Sequence, residues 1–170
     1  MTVSLETLNT CSDSDLVAAL GAIFEHSPWV AEAVVGERPF ASVAALHAAM
    51  VAAIDKAGRE PQLELIRAHP DLAGKAALAG ELTAESTSEQ KGAGLDSLTP
   101  EEYERFHTLN DAYKARFGFP FILAVRGHDK HSILGAFERR QKHSPEEERA
   151  EALAQIAKIG EFRLYDLIKD

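Results

Sequence analysis

The clearest helical signature in the chain is residues 99–118, which read TPEEYERFHTLNDAYKARFG. The segment starts with a threonine, a proline and, at the third helical position, Glu102, which is the pattern of a capping box. Apolar and aromatic side chains then recur at helical spacing until Gly118, a typical helix stop. The stripe comprises Tyr103, Phe106, Asn110, Tyr113 and Phe117. The segment therefore predicts a long helix with one buried face.

Similar signals occur along the rest of the chain. Ser144-Pro145-Glu146-Glu147 has the same capping chemistry and predicts a last helix that runs to the C-terminus. Further helices are predicted for residues 12–27, 29–35, 42–58, 61–69 and 72–79, from about Ser86, and around residues 133–137. The run 119–125 is apolar throughout, and periodicity does not distinguish a strand from a buried helix there. One strand makes no sheet, so we expect an all-α fold, a bundle of about seven to nine helices in a single domain of residues 1–170.

Composition narrows the range of functions. The 27 acidic and 18 basic residues give a net charge of −9, and the basic residues are scattered, so we expect no nucleic-acid partner. Cys11 is the one cysteine and cannot form an intramolecular disulfide, and residues 1–15 lack the pattern of a signal peptide. No apolar run approaches the ~18 residues that span a bilayer, so we expect no membrane association. A cytoplasmic location is the resulting expectation.

The best candidates for acid–base chemistry lie in residues 69–90. His69 directly precedes Pro70, and because proline disfavours the α conformation in the residue before it, a helix should end here. A second helix is expected to start near Ser86, which places Glu89 close to its first turn. Side chains at element ends are often exposed to a common pocket, so we expect an active site in this stretch. Imidazole is the natural proton carrier near neutral pH.

Each candidate also has a structural interpretation. His69 would be a surface histidine attracted to a helix carboxyl end, and Ser86-x-x-Glu89 has the spacing of a capping box. Arg163 lies on or beside the apolar stripe of the last helix, where a guanidinium is costly unless it is paired. It would extend past the edge of the stripe, pair with a structural carboxylate, or clamp an anionic group of a ligand.

Two other polar features are interpreted as structural or accidental. Asn110 lies on an apolar stripe and is expected to be a buried hydrogen-bonding residue. His128 and His131 are separated by two residues, but no third ligand stands at a useful spacing, so we expect no metal site.

A series of short motifs resembles the decarboxylases that act on 2-oxo-4-hydroxy-4-carboxy-5-ureidoimidazoline (OHCU). The motifs are HPDLAGK (residues 69–75), SxxEQ (86–90), AGLD (93–96), LNxxY (109–113), FGFPFI (117–122) and RL (163–164). The resemblance implies an all-helical, often dimeric enzyme of urate breakdown that releases CO₂ from OHCU to give (S)-allantoin. It also implies that no cofactor is needed, because a ring C=N of this substrate can accept the electrons that CO₂ loss leaves behind.

The resemblance further implies roles for individual residues. His69 is the expected proton donor, and Glu89 would accept a hydrogen bond from the substrate hydroxyl or orient His69. The expected substrate-binding residues are Pro70, Ser86, Gln90, Phe119, Pro120, Phe121, Ile122, Leu123 and Arg163. The residues 119–123 are also expected to be core, and both roles can hold together. The expected partners are a small ureidoimidazoline substrate and a second copy of the chain.

One alternative function remains open at this point. The chain could be a helical ureide-binding or interaction domain without turnover, associated with an enzyme of urate breakdown. The presence of His69, Glu89 and Arg163 together favours the enzyme, because a domain without activity would be free to lose one of them.

Overall fold

A computed structural model describes all 170 residues. It contains ten α-helices, one short 3₁₀ helix (Val35–Glu37) and no strand beyond an isolated bridge between Val3 and Ile168. The helices are α1 (Leu5–Thr10), α2 (Asp13–Leu20), α3 (Trp29–Val34), α4 (Val43–Ala57), α5 (Arg59–Arg67), α6 (Lys75–Leu78), α7 (Ala84–Gly92), α8 (Pro100–Phe117), α9 (Lys130–Arg140) and α10 (Pro145–Leu167). The all-α prediction is confirmed, and the helix count exceeds the predicted seven to nine because α1 was not among the predicted helices. None of these helices combines the length and apolar character needed to cross a bilayer.

The helices form two compact units. The first comprises Met1–Ala68 with Ile156–Asp170, and the second comprises His69–Gln155. Fully buried side chains of the first unit include Leu16, Leu46, Met50, Leu65 and Leu164. Those of the second include Phe106, Tyr113, Phe121, Ile133 and Phe137. The expectation that residues 1–170 form one domain stays a prediction.

The predicted capping chemistry is present at the ends of several helices. The Thr99 hydroxyl accepts from the Glu102 amide, and Glu102 accepts in return from the Thr99 amide, which completes the box that starts α8. Ser42 caps α4, and Gly118 ends α8 in the left-handed conformation at φ 78°. These contacts confirm that local hydrogen-bonding preferences place the helix boundaries.

Several predicted elements differ from the structure. Helix α2 ends at Leu20, and the buried Ile23 and Phe24 belong to turns, because regular apolar spacing marks burial rather than helix. The alanine-rich run is helical only over α6. Residues 119–125 form neither helix nor strand. Two of their backbone groups, Ile122 O and the Ala124 amide, are hydrogen-bonded by side chains, an arrangement that apolar periodicity does not reveal.

Gly160 of α10 makes a close contact that leaves no room for a side chain. A Cβ there would lie 2.6 Å from Cζ of the buried Phe24 ring. Gly160→Ala should therefore lower the free energy of unfolding by about 1–3 kcal/mol, the usual cost of overpacking a core. Gly135 of α9 is the matched control, since nothing lies within 4 Å of its Cβ position. Gly135→Ala should be neutral or stabilising by up to about 1 kcal/mol in urea unfolding, and equal effects at the two sites would contradict the contact.

The capping box of α8 should make stability depend on acid pH. The hydrogen bond from Lys130, followed by that from the Thr99 amide, lowers the pKa of Glu102 to about 2. Because the folded pKa is depressed, the carboxylate stabilises the fold above the unfolded pKa near ~4.3, and this contribution is lost as pH falls towards 2.

The thermal midpoint of Glu102→Gln should therefore lie below that of the wild type at pH 6, with the difference disappearing near pH 2. Glu101→Gln removes the neighbouring charge outside the box and should not reproduce this pattern. A wild-type minus Glu102→Gln difference that stayed constant from pH 6 to 2 would contradict the assignment.

Candidate active site

His69 lies two residues beyond the last helical residue of α5. The helix ends at Arg67, and the Ala68 amide closes its final turn on Glu64 O at 3.0 Å. The predicted helix end before Pro70 is confirmed. The His69 side chain is 7% exposed, so the interpretation as a surface histidine is wrong. A buried imidazole lies where a helix gives way to an irregular loop.

The segment that follows, residues 69–74, is called here the His69 loop, and Gln90 of α7 holds it. Gln90 Oε1 accepts from the Ala73 amide at 2.9 Å, and its Nε2 donates to Asp71 O at 3.2 Å. Ala73 has φ 53°, which costs energy for a residue with a Cβ and is maintained only where neighbours enforce it. Both ends of the Gln90 amide thus fix the loop. Its predicted contact with substrate stays a prediction.

Two side chains of α8 hold the same loop from another direction. Asn110 Nδ2 donates to Leu72 O at 2.8 Å, which confirms the interpretation of Asn110 as a buried hydrogen-bonding residue. Lys114 Nζ lies 2.6 Å from an Asp71 carboxylate oxygen. Gly74 closes the turn, and a Cβ there would lie 2.7 Å from the Asp71 Cβ. The loop therefore has one well-defined shape, which positions the residue that starts it.

Helix α7 presents Ser86, Glu89 and Gln90, and its cap differs from the prediction. The N-cap is Thr83, whose hydroxyl accepts from the Ser86 amide at 3.2 Å. Ser86 is thus the third helical residue, so a capping box between Ser86 and Glu89 is wrong. Ser86 and Gln90 are buried and Glu89 is half-buried. Because residues three apart share one helix face, Ser86 and Glu89 lie on the same side of α7.

The run 119–123 is buried in the core of the second unit, as one of its two interpretations predicted. The Phe121 ring stacks on the Phe137 ring with their centres 3.8 Å apart. The centres of the Phe119 and Tyr113 rings are 6.0 Å apart, in an edge-to-face arrangement. Pro120, Ile122 and Leu123 are also buried. Their predicted role in lining a substrate pocket stays a prediction.

The family to which the chain belongs distinguishes an enzyme from a binding domain without turnover. The model of the OHCU decarboxylase family matches residues 9–165. The chain belongs to the OHCU decarboxylase family. The family and the carboxy-lyase class that the motifs predicted are therefore confirmed.

Individual relatives agree with this assignment. The chain is 46% identical over 162 residues to the 2-oxo-4-hydroxy-4-carboxy-5-ureidoimidazoline decarboxylase of Haloferax volcanii, covering 95% of this chain and 94% of the relative. It is 42% identical to the uric acid degradation bifunctional protein PucL of Bacillus subtilis, covering 98% of this chain and 33% of that protein.

Two solved structures are also similar. A crystal structure of (S)-allantoin synthase has a TM-score of 0.79 and 38% identity, covering 98% of this chain and 54% of that one. A crystal structure of an OHCU decarboxylase in the presence of (S)-allantoin has a TM-score of 0.71 and 22% identity, covering 94% of this chain and 100% of that one. This second likeness supports the fold alone.

Arg163 belongs to the first unit, whereas the other predicted site residues of this OHCU decarboxylase family member belong to the second. Its side chain is buried, with Nη2 2.9 Å from Glu25 Oε1 and Nη1 donating to Ile23 O at 3.2 Å. The interpretation in which it reaches past the stripe edge is wrong, and pairing with a structural carboxylate is observed. Glu25 was missed because nothing in the sequence indicates which acidic residue meets a buried arginine. Substrate binding by Arg163 stays a prediction.

A second buried ion pair was also missed. Arg140 and Glu148 have side chains that are 5% and 0% exposed, with Arg140 Nη2 2.9 Å from Glu148 Oε1. The signal that could have identified Arg140 is its position, because it falls on the apolar stripe of α9 with Ile133 and Phe137. That signal is the one that singled out Arg163.

The predicted absence of a metal site at His128 and His131 concerns side chains at the start of α9. His128 Nδ1 lies 3.0 Å from Ser132 Oγ. No three His, Cys, Asp or Glu side chains are arranged so that they could hold a metal ion. The expectation that no metal takes part stays a prediction.

A cavity of about 510 Å³ lies beside the His69 loop. Ala73 and Gln90 contribute to it, and most of its other lining is apolar, including Leu78, Leu95 and Tyr103. Neither His69 nor Glu89 lines it.

Proposed function

We propose that the chain decarboxylates OHCU to (S)-allantoin and CO₂ in urate breakdown, without a cofactor and with His69 as the proton donor. The observation that carries this proposal is the buried His69 at the start of a loop fixed by Gln90, Asn110 and Lys114. Membership of the OHCU decarboxylase family supports the choice of substrate.

The chemistry sets specific demands on the protein. The bond between the carboxylate carbon and the hydroxyl-bearing ring carbon breaks, and its electron pair moves into the adjacent ring C=N, whose nitrogen takes up a proton. The hydroxyl then gives up its proton and becomes the ring carbonyl of allantoin. The neighbouring ureido-bearing carbon, the reacting carbon, is planar in this intermediate and takes a proton from one face. An imidazole N–H held at that face supplies the proton and is reprotonated from solvent, which is general acid catalysis. Fixing the loop holds the donor at this face before the substrate arrives.

The remaining predicted residues have binding roles in this proposal. Glu89 accepts from the substrate hydroxyl or orients the imidazole, and Ser86 hydrogen-bonds the substrate. Arg163 provides a planar fork for an anionic or ureido group, held in place by Glu25. Further contacts are assigned to Pro70, Gln90, Phe119, Pro120, Phe121, Ile122 and Leu123.

The direct test uses OHCU generated in situ from urate, with its decay followed by ultraviolet absorbance. The purified chain should accelerate the decay and yield (S)-allantoin, and exhaustive treatment with EDTA should leave the rate unchanged. A decay rate equal to that without protein would remove the proposed function. A rate lost on chelation and restored by one particular metal would remove the metal-free mechanism.

Glu89→Gln should separate chemistry from helix stability. Because Thr83 rather than Glu89 caps α7, the variant should keep its thermal midpoint while kcat/KM falls by about 10²-fold, the scale of an acid–base contribution. Thr83→Ala is the matched control and should lose about 1 kcal/mol of stability with its activity retained at low temperature. A Glu89→Gln variant with wild-type kcat/KM would remove Glu89 from the mechanism.

The proposal also covers the oligomeric state of the protein, its location and its domain organisation. We expect a homodimer in the cytoplasm, with residues 1–170 unfolding as one cooperative domain, and the family resemblance supports the dimer. Sedimentation at micromolar concentration should give twice the chain mass of 18.5 kDa. A mass equal to one chain would contradict the dimer.

A further inference from the structure

The second unit contains a cluster of charged and polar side chains, called here the Arg140 cluster. Its members are the buried Tyr113, Arg140 and Glu148 and, at its edge, His143, whose side chain is 43% exposed. Glu148 is fully buried, and Arg140 Nε donates to its two carboxylate oxygens at 2.9 and 3.2 Å. The Tyr113 hydroxyl donates to Glu148 Oε1, and His143 Nδ1 lies 2.9 Å from Oε2. Burial and then the bond to Glu148 raise the pKa of Tyr113, which keeps its phenol a neutral donor.

Arg140 connects this cluster to the run 119–123. Its Nη1 donates to Ile122 O, and its guanidinium carbon lies 4.4 Å from the centre of the Phe121 ring. Glu148 therefore orients the guanidinium, and the guanidinium fixes a carbonyl and a ring in neighbouring residues of the run.

The run depends on such contacts because it has no helix or strand to pair its backbone. Buried N–H and C=O groups must still be hydrogen-bonded, and here side chains provide the partners. Arg140 satisfies Ile122 O, and Gln155 Oε1 accepts from the Ala124 amide at 3.0 Å. One side chain of α9 and one of α10 thus pair two backbone groups within residues 119–125.

A contribution to the free energy of unfolding does not by itself explain a buried ion pair such as Arg140–Glu148. Replacing a buried ion pair by well-packed apolar side chains is often neutral or stabilising. A guanidinium does what an apolar side chain cannot, because its fork binds Glu148 and the Ile122 carbonyl in one fixed geometry. What the cluster offers beyond an apolar replacement is therefore a fixed geometry at Phe121 and Ile122.

We propose that Arg140, oriented by Glu148, is a positioning residue that holds residues 119–123 in the shape that receives the substrate. This inference rests on the proposed function, in which the run lines the substrate site. Arg140 itself touches no reacting atom and acts through Phe121 and Ile122.

The test uses two variants, one that keeps a cation at position 140 and one that removes the buried charges together. Arg140→Lys keeps the cation but lacks the fork, and should lower kcat/KM at least 10-fold, mainly through KM, while the product remains (S)-allantoin. The triple variant Arg140→Met, Glu148→Leu, Tyr113→Phe replaces the buried polar groups together and should keep a wild-type thermal midpoint with the same loss of kcat/KM. Arg139→Lys, at an exposed position of α9, is the matched control and should match the wild type.

Hydrogen exchange provides a measurement that does not depend on turnover. Arg140→Lys should speed amide exchange at least 10-fold in residues 121–125 and leave the helices unchanged. If the wild type fails to consume OHCU, the proposed function is wrong. The amide exchange rates of residues 121–125 still show whether Arg140 fixes their conformation. Unchanged exchange in Arg140→Lys, or a folded triple variant with wild-type kcat/KM, would overturn the inference.

Discussion

Glu25→Ala should lower the free energy of unfolding by about 3–5 kcal/mol, because it removes the carboxylate that faces the buried guanidinium of Arg163. The two side chains are 1% and 5% exposed, and the N–O distance is 2.9 Å. Little water reaches this pair, so solvent cannot replace the lost charge. The second Glu25 oxygen lies 3.9 Å from His26 Nε2 and contributes less at that distance. Urea unfolding followed by circular dichroism measures the loss.

Two controls distinguish the ion pair from a general effect of losing a glutamate. Glu32→Ala, at an exposed position of α3, should change stability by no more than about 0.5 kcal/mol. The double variant Glu25→Leu, Arg163→Met should recover most of the loss, because no uncompensated charge remains. A double variant as unstable as Glu25→Ala would show that packing, rather than charge, accounts for the effect.

His69→Asn should slow OHCU consumption by at least ~10²-fold, the usual scale of a general acid contribution. Asparagine keeps polarity and a comparable reach but cannot deliver a proton near neutral pH. The fold should be retained, because Gln90, Asn110 and Lys114 hold the backbone and side chains of the His69 loop. His131→Asn, at an exposed position of α9, is the matched control and should keep the wild-type rate.

The fold was predictable where local chemistry determines it. Thr99 and Ser144 mark helix starts because an N-cap hydroxyl satisfies an amide three residues ahead, and Gly118 marks a stop because it adopts a positive φ. The turns around Phe24 were not predictable in the same way. Apolar spacing gave their burial correctly, but a turn and a helix can bury the same residues.

The candidate site shows the same division between local and long-range information. The end of α5 before Pro70 follows from the proline ring, so the position of His69 could be predicted. The partners Glu25 for Arg163 and Asp71 for Lys114 lie far away in sequence, and which charges meet depends on the tertiary fold. The cap at Thr83 was missed because Ser86 offered an equally good spacing, and only the backbone conformation decides between them.

The stereochemistry of the product tests the central claim that His69 delivers the proton from one face. The intermediate left by CO₂ loss is planar at the reacting carbon, so a proton from bulk water can arrive on either side. Circular dichroism of the allantoin formed by a folded His69→Asn variant measures which side is used. The proposed mechanism predicts slow formation of a product that approaches the racemate, whereas the wild type gives the S form. A folded His69→Asn protein that still produced (S)-allantoin at a near wild-type rate would contradict it.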